Sequence, residues 1–215
     1  MRNRIVIVDY GVGNLFSVRR AVEVCGGSDI VLSALPADIA SADRVILPGV
    51  GAFEDGMRGL RDRDLIRPLV DFAASGKPLL GICLGMQMLA TNSEEFGVHA
   101  GLDLVPGRVV PIPRVDIAGR PLKVPSIGWS KLSVPEGPAS VGSYLETRSL
   151  ETALYLVHSF HLVPDQHQHL LATYCFGGHL ITAAVRRGNI SGFQFHPEKS
   201  GPAGLEIMSC FIAAQ

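Results

Sequence analysis

An apolar run that ends at a glycine-flanked cysteine constrains the fold of this chain more than any other feature. Residues 78–82 read PLLGI, Cys83 follows, and residues 84–89 read LGMQML. The first segment is typical of a buried strand and the last is typical of a helix. We therefore predict a strand, a sharp corner at Cys83 and a helix.

A cysteine at such a corner is a candidate nucleophile. Small flanking residues let the side chain project clear of the turn, as in the serine elbow of Gly-x-Ser-x-Gly enzymes. The unpaired N–H groups and the positive dipole end of the following helix would favour thiolate over thiol. The alternative is a buried structural cysteine at the end of a glycine-rich strand.

Strand and helix patterns alternate through the first ninety residues, which predicts a parallel sheet covered by helices. The predicted strands are 4–9, 29–33, 44–48 and 78–82, and the predicted helices are 14–26, about 64–75 and the segment after Cys83. Beyond residue 101 the strand-like segments predict an antiparallel extension; they are 104–112, 121–133, 153–158, 169–175, 180–185 and 190–195, before a final helix at about 202–213. We predict one α/β domain over residues 1–215, with a mostly parallel central sheet flanked by helices.

A general base for Cys83 is predicted near the C-terminus. Residues 190–195 alternate like a half-buried strand, and Pro197 stops it, so His196 and Glu198 fall at the strand's end. Residues two apart in an extended segment point the same way, so Glu198 could accept the ring N–H of His196. This predicts a Cys-His-Glu triad. The alternative is an exposed His-Pro-Glu turn without a chemical role.

A third strand runs into a glycine turn. Residues 45–53 read VILPGVGAF, and the backbone N–H groups at Val50 and Gly51 could point at a developing negative oxygen. Together with the N–H of Leu84 they would form an oxyanion hole. An ordinary tight turn explains the Gly-x-Gly pattern equally well.

Composition excludes several classes of function. The formal net charge is −1 over 215 residues, which gives no electrostatic footprint for nucleic acid. No apolar run is long enough to cross a bilayer, and the first residues lack the pattern of a secretory signal, so we expect a cytoplasmic protein. Cysteine and histidine spacings do not suggest a metal site or a cofactor, and Cys25, Cys175 and Cys210 are interpreted as core or surface thiols.

Four motifs carry a close family resemblance: LPGVGAF at 47–53, GICLGMQ at 81–87, YLVHSF at 155–160 and GFQFHPEKS at 192–200. On these motifs the chain resembles the class I, triad-type glutamine amidotransferases. Within that class it is most similar to the glutaminase subunits of imidazole glycerol phosphate synthase. The opening VDYGVGNLFSV and the IGW around Trp129 extend the similarity along essentially the whole chain.

The resemblance implies that Cys83 attacks the side-chain amide of glutamine, that His196 transfers protons, and that Glu198 orients His196. Glutamate and ammonia would be released. Gln87, Glu95 and Ser159 match positions that hold the substrate glutamine in the family. Each also has an ordinary explanation, as a solvated helix residue, part of an exposed turn and a simple strand residue.

The resemblance also implies a protein partner. In the synthase, the glutaminase docks on the mouth of a separate (β/α)₈ barrel cyclase subunit, which uses the ammonia in histidine biosynthesis. Asn14, Trp129, Tyr155 and Lys199 match positions near that docking face. Trp129 could instead be a core residue, and Lys199 a solvated side chain.

Other interpretations stay open at this point. A paralogous amidotransferase could supply ammonia to a sugar-modifying synthase, a cysteine peptidase could share the fold, and a binding module could lack turnover. Two residues depart from the family pattern: Ser126 replaces a common histidine before IGW, and His161 lies two residues beyond the serine of VHSF. Neither belongs to the predicted triad.

Overall fold

The structure is a computed structural model, and it describes residues 3–135, 145 and 152–214. Over these residues the chain forms thirteen strands and six α-helices. The strands are β1 (Arg4–Val8), β2 (Asp29–Ser33), β3 (Arg44–Leu47), β4 (Leu79–Ile82), β5 (Asn92–Ser93), β6 (His99–Ala100), β7 (Gly107–Pro111), β8 (Ser126–Ser130), β9 (Leu154–His158), β10 (Phe160–Pro164), β11 (Leu170–Phe176), β12 (His179–Arg187) and β13 (Ile190–Phe193). The helices are α1 (Leu15–Val24), α2 (Pro36–Ser41), α3 (Phe53–Arg61), α4 (Ile66–Ala74), α5 (Leu84–Met88) and α6 (Gly201–Ala213).

Seven strands form the central sheet, in the order β11-β12-β13-β4-β3-β1-β2. The pairs from β13 through β4, β3 and β1 to β2 are parallel. The pairs β12–β13 and β11–β12 are antiparallel. This arrangement confirms the predicted α/β class, with its mostly parallel sheet and its antiparallel extension.

Helices cover both faces of the sheet, which explains why its central strands are apolar without alternation. Every residue of β3 and β4 is buried. One face packs against α1 and α6, through residues such as Val22 and Phe211. The other face packs against α3 and α4, through residues such as Met57 and Leu69.

A buried arginine secures the last helix to the sheet. Arg44, at the start of β3, donates from Nε to the Phe211 carbonyl at 3.1 Å and from Nη2 to the Ala214 carbonyl. The last carbonyls of a helix have no partner within the helix, and a cation is favoured at that end. Arg44 therefore caps α6 while it begins a central strand.

Two smaller sheets lie outside the central one. One has the order β10-β7-β5-β6, and the other is the antiparallel pair β8–β9. Only Ser159 separates β9 from β10, so the chain passes between these two sheets at that residue. None of the helices in the described ranges combines the length and apolarity needed to span a bilayer.

Several predicted boundaries were wrong. The segment 121–133 contains only the five-residue strand β8, and the predicted helix at 64–75 is α4, preceded by α3, which was not predicted. In α3, Gly56 and Gly59 lower the intrinsic helix propensity. Both are positions of close approach: a Cβ on Gly56 would lie 2.8 Å from Met88 Sδ, and one on Gly59 2.6 Å from Tyr10 O. Tertiary packing therefore stabilises a helix that propensity disfavours.

Candidate active site

Cys83 lies at the predicted corner between β4 and α5. Its backbone angles are φ 54° and ψ −111°, a region that a non-glycine residue rarely adopts. The two glycines on either side of this corner lie where there is no room for a side chain. A Cβ on Gly81 would lie 2.7 Å from the Gly85 backbone, and one on Gly85 would overlap the Leu47 carbonyl oxygen. The Gly-x-Cys-x-Gly spacing therefore lets a strained corner sit against the end of β3.

The neighbouring strand brings His196 to the same edge. β13 pairs with β4 in parallel, Phe193 lies opposite Ile82, and the Cys83 N–H donates to the Phe193 carbonyl at 2.7 Å. Three residues later the chain reaches His196, whose N–H donates to the Tyr155 carbonyl at 2.9 Å. Cys83 and His196 line one cavity of about 280 Å³.

His196 and Glu198 form a buried pair. The His196 Nδ1 lies 2.8 Å from Glu198 Oε1, and their side chains are 3% and 2% exposed. His196 Nε2 is buried without a hydrogen-bond partner among the described residues, as is Glu198 Oε2. Burial alone would lower the pKa of His196, but the interactions with Cys83 and Glu198 outweigh it and raise that pKa to about 9. This favours an imidazolium beside the sulfur.

The cavity also gathers the other predicted oxyanion and substrate residues. Glu198 contacts His196 but does not itself line the cavity. The lining residues are Val50, Gly51, Cys83, Leu84, Gln87, Glu95, Pro125, Val157, His158, Ser159, Phe160 and His196. A site of this volume lies near the lower end of the range for small-molecule pockets, which begins at roughly 300 Å³. It suits a ligand of amino-acid size.

One predicted oxyanion donor is not open in this arrangement. The Leu84 N–H donates to the Gly49 carbonyl at 3.3 Å. Tyr10 fixes the preceding residue, since its hydroxyl donates to the Pro48 carbonyl at 2.6 Å, and a Cβ on Gly49 would overlap that hydroxyl. Gly51 has φ 99°, a conformation that glycine adopts readily. The turn at residues 48–51 therefore presents a carbonyl to the start of α5.

The three predicted substrate residues are already held by the protein. Gln87 donates from Nε2 to the Phe160 carbonyl at 2.9 Å and to Gln194 Oε1 at 3.0 Å, so its oxygen is the group left to accept. Glu95 Oε2 accepts the Phe53 N–H at 2.7 Å, at the start of α3. Ser159 contributes its carbonyl to a backbone bond from Ile112 at 2.9 Å and lines the cavity beside His158.

Three of the predicted partner residues form one cluster beside the cavity. Trp129 is 57% exposed, so its interpretation as a core residue is wrong. Its ring meets Tyr155 edge-on at 5.8 Å, and Lys199 Nζ lies 5.9 Å from the Tyr155 ring centre. Asn14 is exposed at the start of α1, where its side chain accepts the Ser17 N–H at 3.2 Å.

Sequence reasoning missed two residues around the sulfur. Tyr10 is 1% exposed, and burial together with the charge of Cys83 raises its pKa well above its usual range. Gln194 is fully buried, and its Nε2 lies 3.7 Å from Cys83 Sγ. Gln194 falls within GFQFHPEKS, two residues before His196, but only the packing of β13 against β4 brings it to the cysteine.

His158, within the YLVHSF motif, and His161, just beyond it, are buried and neutral. His158 Nδ1 lies 2.8 Å from the Phe160 carbonyl, so Nε2 accepts the Tyr174 hydroxyl at 2.9 Å. Burial lowers the pKa of His158 and that of His161 to about 4. His161 Nδ1 accepts the Thr182 N–H at 3.2 Å. In the described part of the chain, no group of three His, Cys, Asp or Glu side chains is arranged to hold a metal ion.

Comparisons with known proteins agree with this geometry. The family model described as "Glutamine amidotransferase class-I" matches residues 6–214. "Imidazole glycerol phosphate synthase subunit HisH 1" of Legionella pneumophila (strain Paris) is 49% identical over 207 residues, which cover 96% of this chain and 97% of the relative. "Imidazole glycerol phosphate synthase subunit HisH" of Syntrophotalea carbinolica is 44% identical over 208 residues, with 96% and 98% covered.

Solved structures share the fold at low sequence identity. The "Structure of PurLQS from Thermotoga maritima" aligns with a TM-score of 0.68 at 19% identity, over 98% of each chain. A "Crystal structure of glutamine amidotransferase" aligns with a TM-score of 0.65 at 18% identity, over 93% of this chain and 94% of the other. At this identity the likeness concerns the fold alone.

Proposed function

Because the chain belongs to the class I glutamine amidotransferase family, we propose that it is the glutaminase subunit of an imidazole glycerol phosphate synthase. The family match confirms the resemblance predicted from the motifs. The observation that carries the proposal is Cys83 on a strained corner, beside a buried His196 that Glu198 hydrogen-bonds. Relatives that are 40% to 49% identical and bear this subunit's name support the choice within the family.

The first half of the proposed reaction forms a thioester. The Cys83 thiolate attacks the side-chain amide carbon of glutamine and forms a carbon–sulfur bond. The tetrahedral intermediate collapses as His196, protonated at Nε2, gives its proton to the departing nitrogen, and ammonia leaves. Glu198 keeps Nδ1 protonated, so Nε2 is the nitrogen that exchanges the proton.

The second half regenerates the enzyme. Neutral His196 takes a proton from water, the hydroxide adds to the thioester carbon, and the carbon–sulfur bond breaks. The new carboxylic acid loses its proton to solvent as glutamate is released, and Cys83 returns as a thiolate beside protonated His196. Overall, glutamine and water give glutamate and ammonia.

The oxyanion hole proposed at Val50, Gly51 and Leu84 would require a rearrangement. In the structure Leu84 is bonded to the Gly49 carbonyl, so this donor must be released before it can serve a substrate oxygen. Glycines at positions 49 and 51 give this turn access to backbone conformations that other residues avoid, so the turn can reorient. We propose that docking of the partner favours the reoriented turn, which would prevent ammonia from being released without an acceptor.

Gln87, Glu95 and Ser159 are proposed to hold the glutamine backbone. The free oxygen of Gln87 and the carboxylate of Glu95 can accept hydrogen bonds from its ammonium group. The backbone at Ser159 lies on the same cavity wall, where it can meet the carboxylate. Each assignment uses a group that the contacts within the protein leave available.

The proposed partner is a separate (β/α)₈ barrel cyclase subunit that forms a heterodimer with this chain. Exposed Trp129 with Tyr155 and Lys199 lies beside the cavity and supplies an aromatic and cationic surface suited to such docking. Asn14 is proposed to extend that surface. We also propose that residues 1–215 are one amidotransferase domain, as the family match over 6–214 supports, and that it works in the cytoplasm.

Glutamate release tests the proposal directly. We expect glutamine hydrolysis to rise strongly when a cognate barrel and its nucleotide ligand are added. Cys83→Ala should abolish hydrolysis and preserve docking, while Cys175→Ala, at an exposed cysteine on β11, should leave both unchanged. Hydrolysis that survives Cys83→Ala would refute the glutaminase mechanism, and stimulation only by a sugar-modifying partner would refute the choice of synthase.

A further inference from the structure

The buried side-chain amides of Gln87 and Gln194 connect the Phe160 carbonyl to the Cys83 sulfur. The Phe160 carbonyl accepts from Gln87 Nε2 at 2.9 Å, Gln194 Oε1 accepts from the same nitrogen at 3.0 Å, and Gln194 Nε2 lies 3.7 Å from Cys83 Sγ. Gln194 is fully buried, and it is absent from the cavity lining. Its amide therefore approaches the sulfur from the protein interior, on the side away from the cavity.

The Phe160 carbonyl determines which atom donates and which accepts in each of these hydrogen bonds. A backbone carbonyl can only accept, so Gln87 must turn its nitrogen towards Phe160. The second hydrogen on that nitrogen then points to Gln194, which must accept it with its side-chain oxygen. Gln194 is left with its NH₂ group towards Cys83. The amide orientation thus follows from the carbonyl and not from an arbitrary assignment of oxygen and nitrogen.

We propose that Gln194 is a further catalytic residue, which donates a side-chain N–H to the Cys83 sulfur, stabilises the thiolate and fixes its direction of attack. A thiolate is a charged acceptor, and a hydrogen bond to a charged group is stronger than one between neutral groups. The same donor offers less to a neutral thiol, which is a weak acceptor. Gln194 thereby favours the form of Cys83 that attacks the amide carbon. This inference rests on the proposed glutaminase function.

The titratable groups around the sulfur come from several elements. His196 and Glu198 follow β13, Tyr10 follows β1, His158 ends β9, and Glu95 follows β5. His196 supplies the positive charge, whereas His158 stays neutral near pH 7 because its pKa is about 4. Gln194 differs from all of them, because its contribution carries no charge and does not titrate.

The matched variants are Gln194→Glu and Gln194→Met. Gln194→Glu keeps the side-chain shape and the acceptor for Gln87, but it exchanges the amide donor that faces Cys83 for a carboxyl oxygen and adds a titratable group there. Gln194→Met keeps the length and removes both polar atoms. Ser191→Ala on β13 is the control, since Ser191 is 1% exposed and its hydroxyl has no hydrogen-bond partner among the described residues.

The main readout is the rate of Cys83 alkylation by iodoacetamide against pH, measured in a background of Cys25→Ser, Cys175→Ser and Cys210→Ser. We expect both Gln194 variants to move the midpoint of alkylation upwards by about one pH unit, which is a factor of about ten in thiolate population. With the barrel and its ligand present, kcat for glutamine should fall roughly tenfold while KM changes less than about twofold, because Gln194 does not line the cavity. Ser191→Ala should match the parent in all three measurements.

Unchanged alkylation and kcat in folded Gln194→Met would overturn the inference, as would a change in KM alone. If both variants fail to fold, the parent protein still decides the question by ¹⁵N NMR of the Gln194 side-chain amide. Its signal should shift when Cys83 is alkylated, and an unmoved signal would overturn the inference. Alkylation needs no glutamine turnover, so a protein without glutaminase activity would refute the proposed function separately.

Discussion

Neutralising Glu198 offers a quantitative test of the buried pair. In Glu198→Gln the amide oxygen can still accept from His196 Nδ1, but the charge is gone. A hydrogen bond to a charged group contributes about 1.5–3 kcal/mol and a neutral one about 0.5–1.5 kcal/mol. The difference of roughly 1–1.5 kcal/mol corresponds to about one pKa unit, at 1.36 kcal/mol per unit. We expect the pKa of His196 to fall from about 9 towards roughly 8.

The consequence for activity has a definite sign. Ammonia departure needs protonated His196, so activity should fall as pH rises through the pKa of that residue. At pH 9 the protonated fraction would drop from about one half to about one tenth, so the loss in Glu198→Gln should be about five times greater at pH 9 than at pH 7. The assay is glutamate release by the complex with its barrel from pH 6 to 10, with Glu206→Gln on the exposed face of α6 as the control.

Stability gives an independent check on the same pair. The folded protein raises the pKa of His196 above 6.5, so this contribution is complete below about pH 6.5 and is lost as pH rises through about 9. Urea unfolding should therefore show a smaller decline over that interval in Glu198→Gln than in the parent. An alkaline limb and a decline in stability that both stay unmoved in Glu198→Gln would refute the contribution of this carboxylate to the raised pKa of His196.

Two further predictions concern buried hydrogen bonds outside the triad. Tyr10→Phe removes the donor to the Pro48 carbonyl, and we expect a loss of about 1–2 kcal/mol in the free energy of unfolding, measured in urea, with altered glutaminase activity in the absence of the barrel. Wild-type values for both would contradict the role given to that hydroxyl. Arg44→Met removes the bonds to Phe211 and Ala214, and we expect about 2–4 kcal/mol of destabilisation in the same assay with glutamine KM unchanged. An altered KM would show that the end of α6 acts on the site.

The sequence predicts an element well where consecutive residues all carry the same strand or helix pattern. The strand at 29–33 agrees with β2 residue for residue, and Cys83 follows β4 as the spacing predicted. The helix α3 could not be predicted this way, because its glycines are needed only where it packs closely on other segments. The break between β9 and β10 at Ser159 likewise depends on two different sheets, each of which takes one strand.

The predicted site depended on pairs of residues close in sequence and on one family pattern. His196 and Glu198 are two residues apart, so their contact follows from an extended backbone. Gln194 and Tyr10 contact the surroundings of Cys83 across more than seventy residues, and neither carries a local signal for that position. Their roles became visible only through the order of the strands.

The nucleophile corner and the proposed oxyanion turn are mechanically joined. Gly85 packs so closely on the Leu47 carbonyl that no side chain fits at position 85. Two residues after Leu47, the Gly49 carbonyl accepts a hydrogen bond from the Leu84 N–H. Cys83 lies directly before Leu84, so any motion that frees this N–H for a substrate oxygen acts on the residue beside the attacking sulfur. A rearrangement of the turn therefore adjusts both halves of the reaction centre at once, because one hydrogen bond connects them.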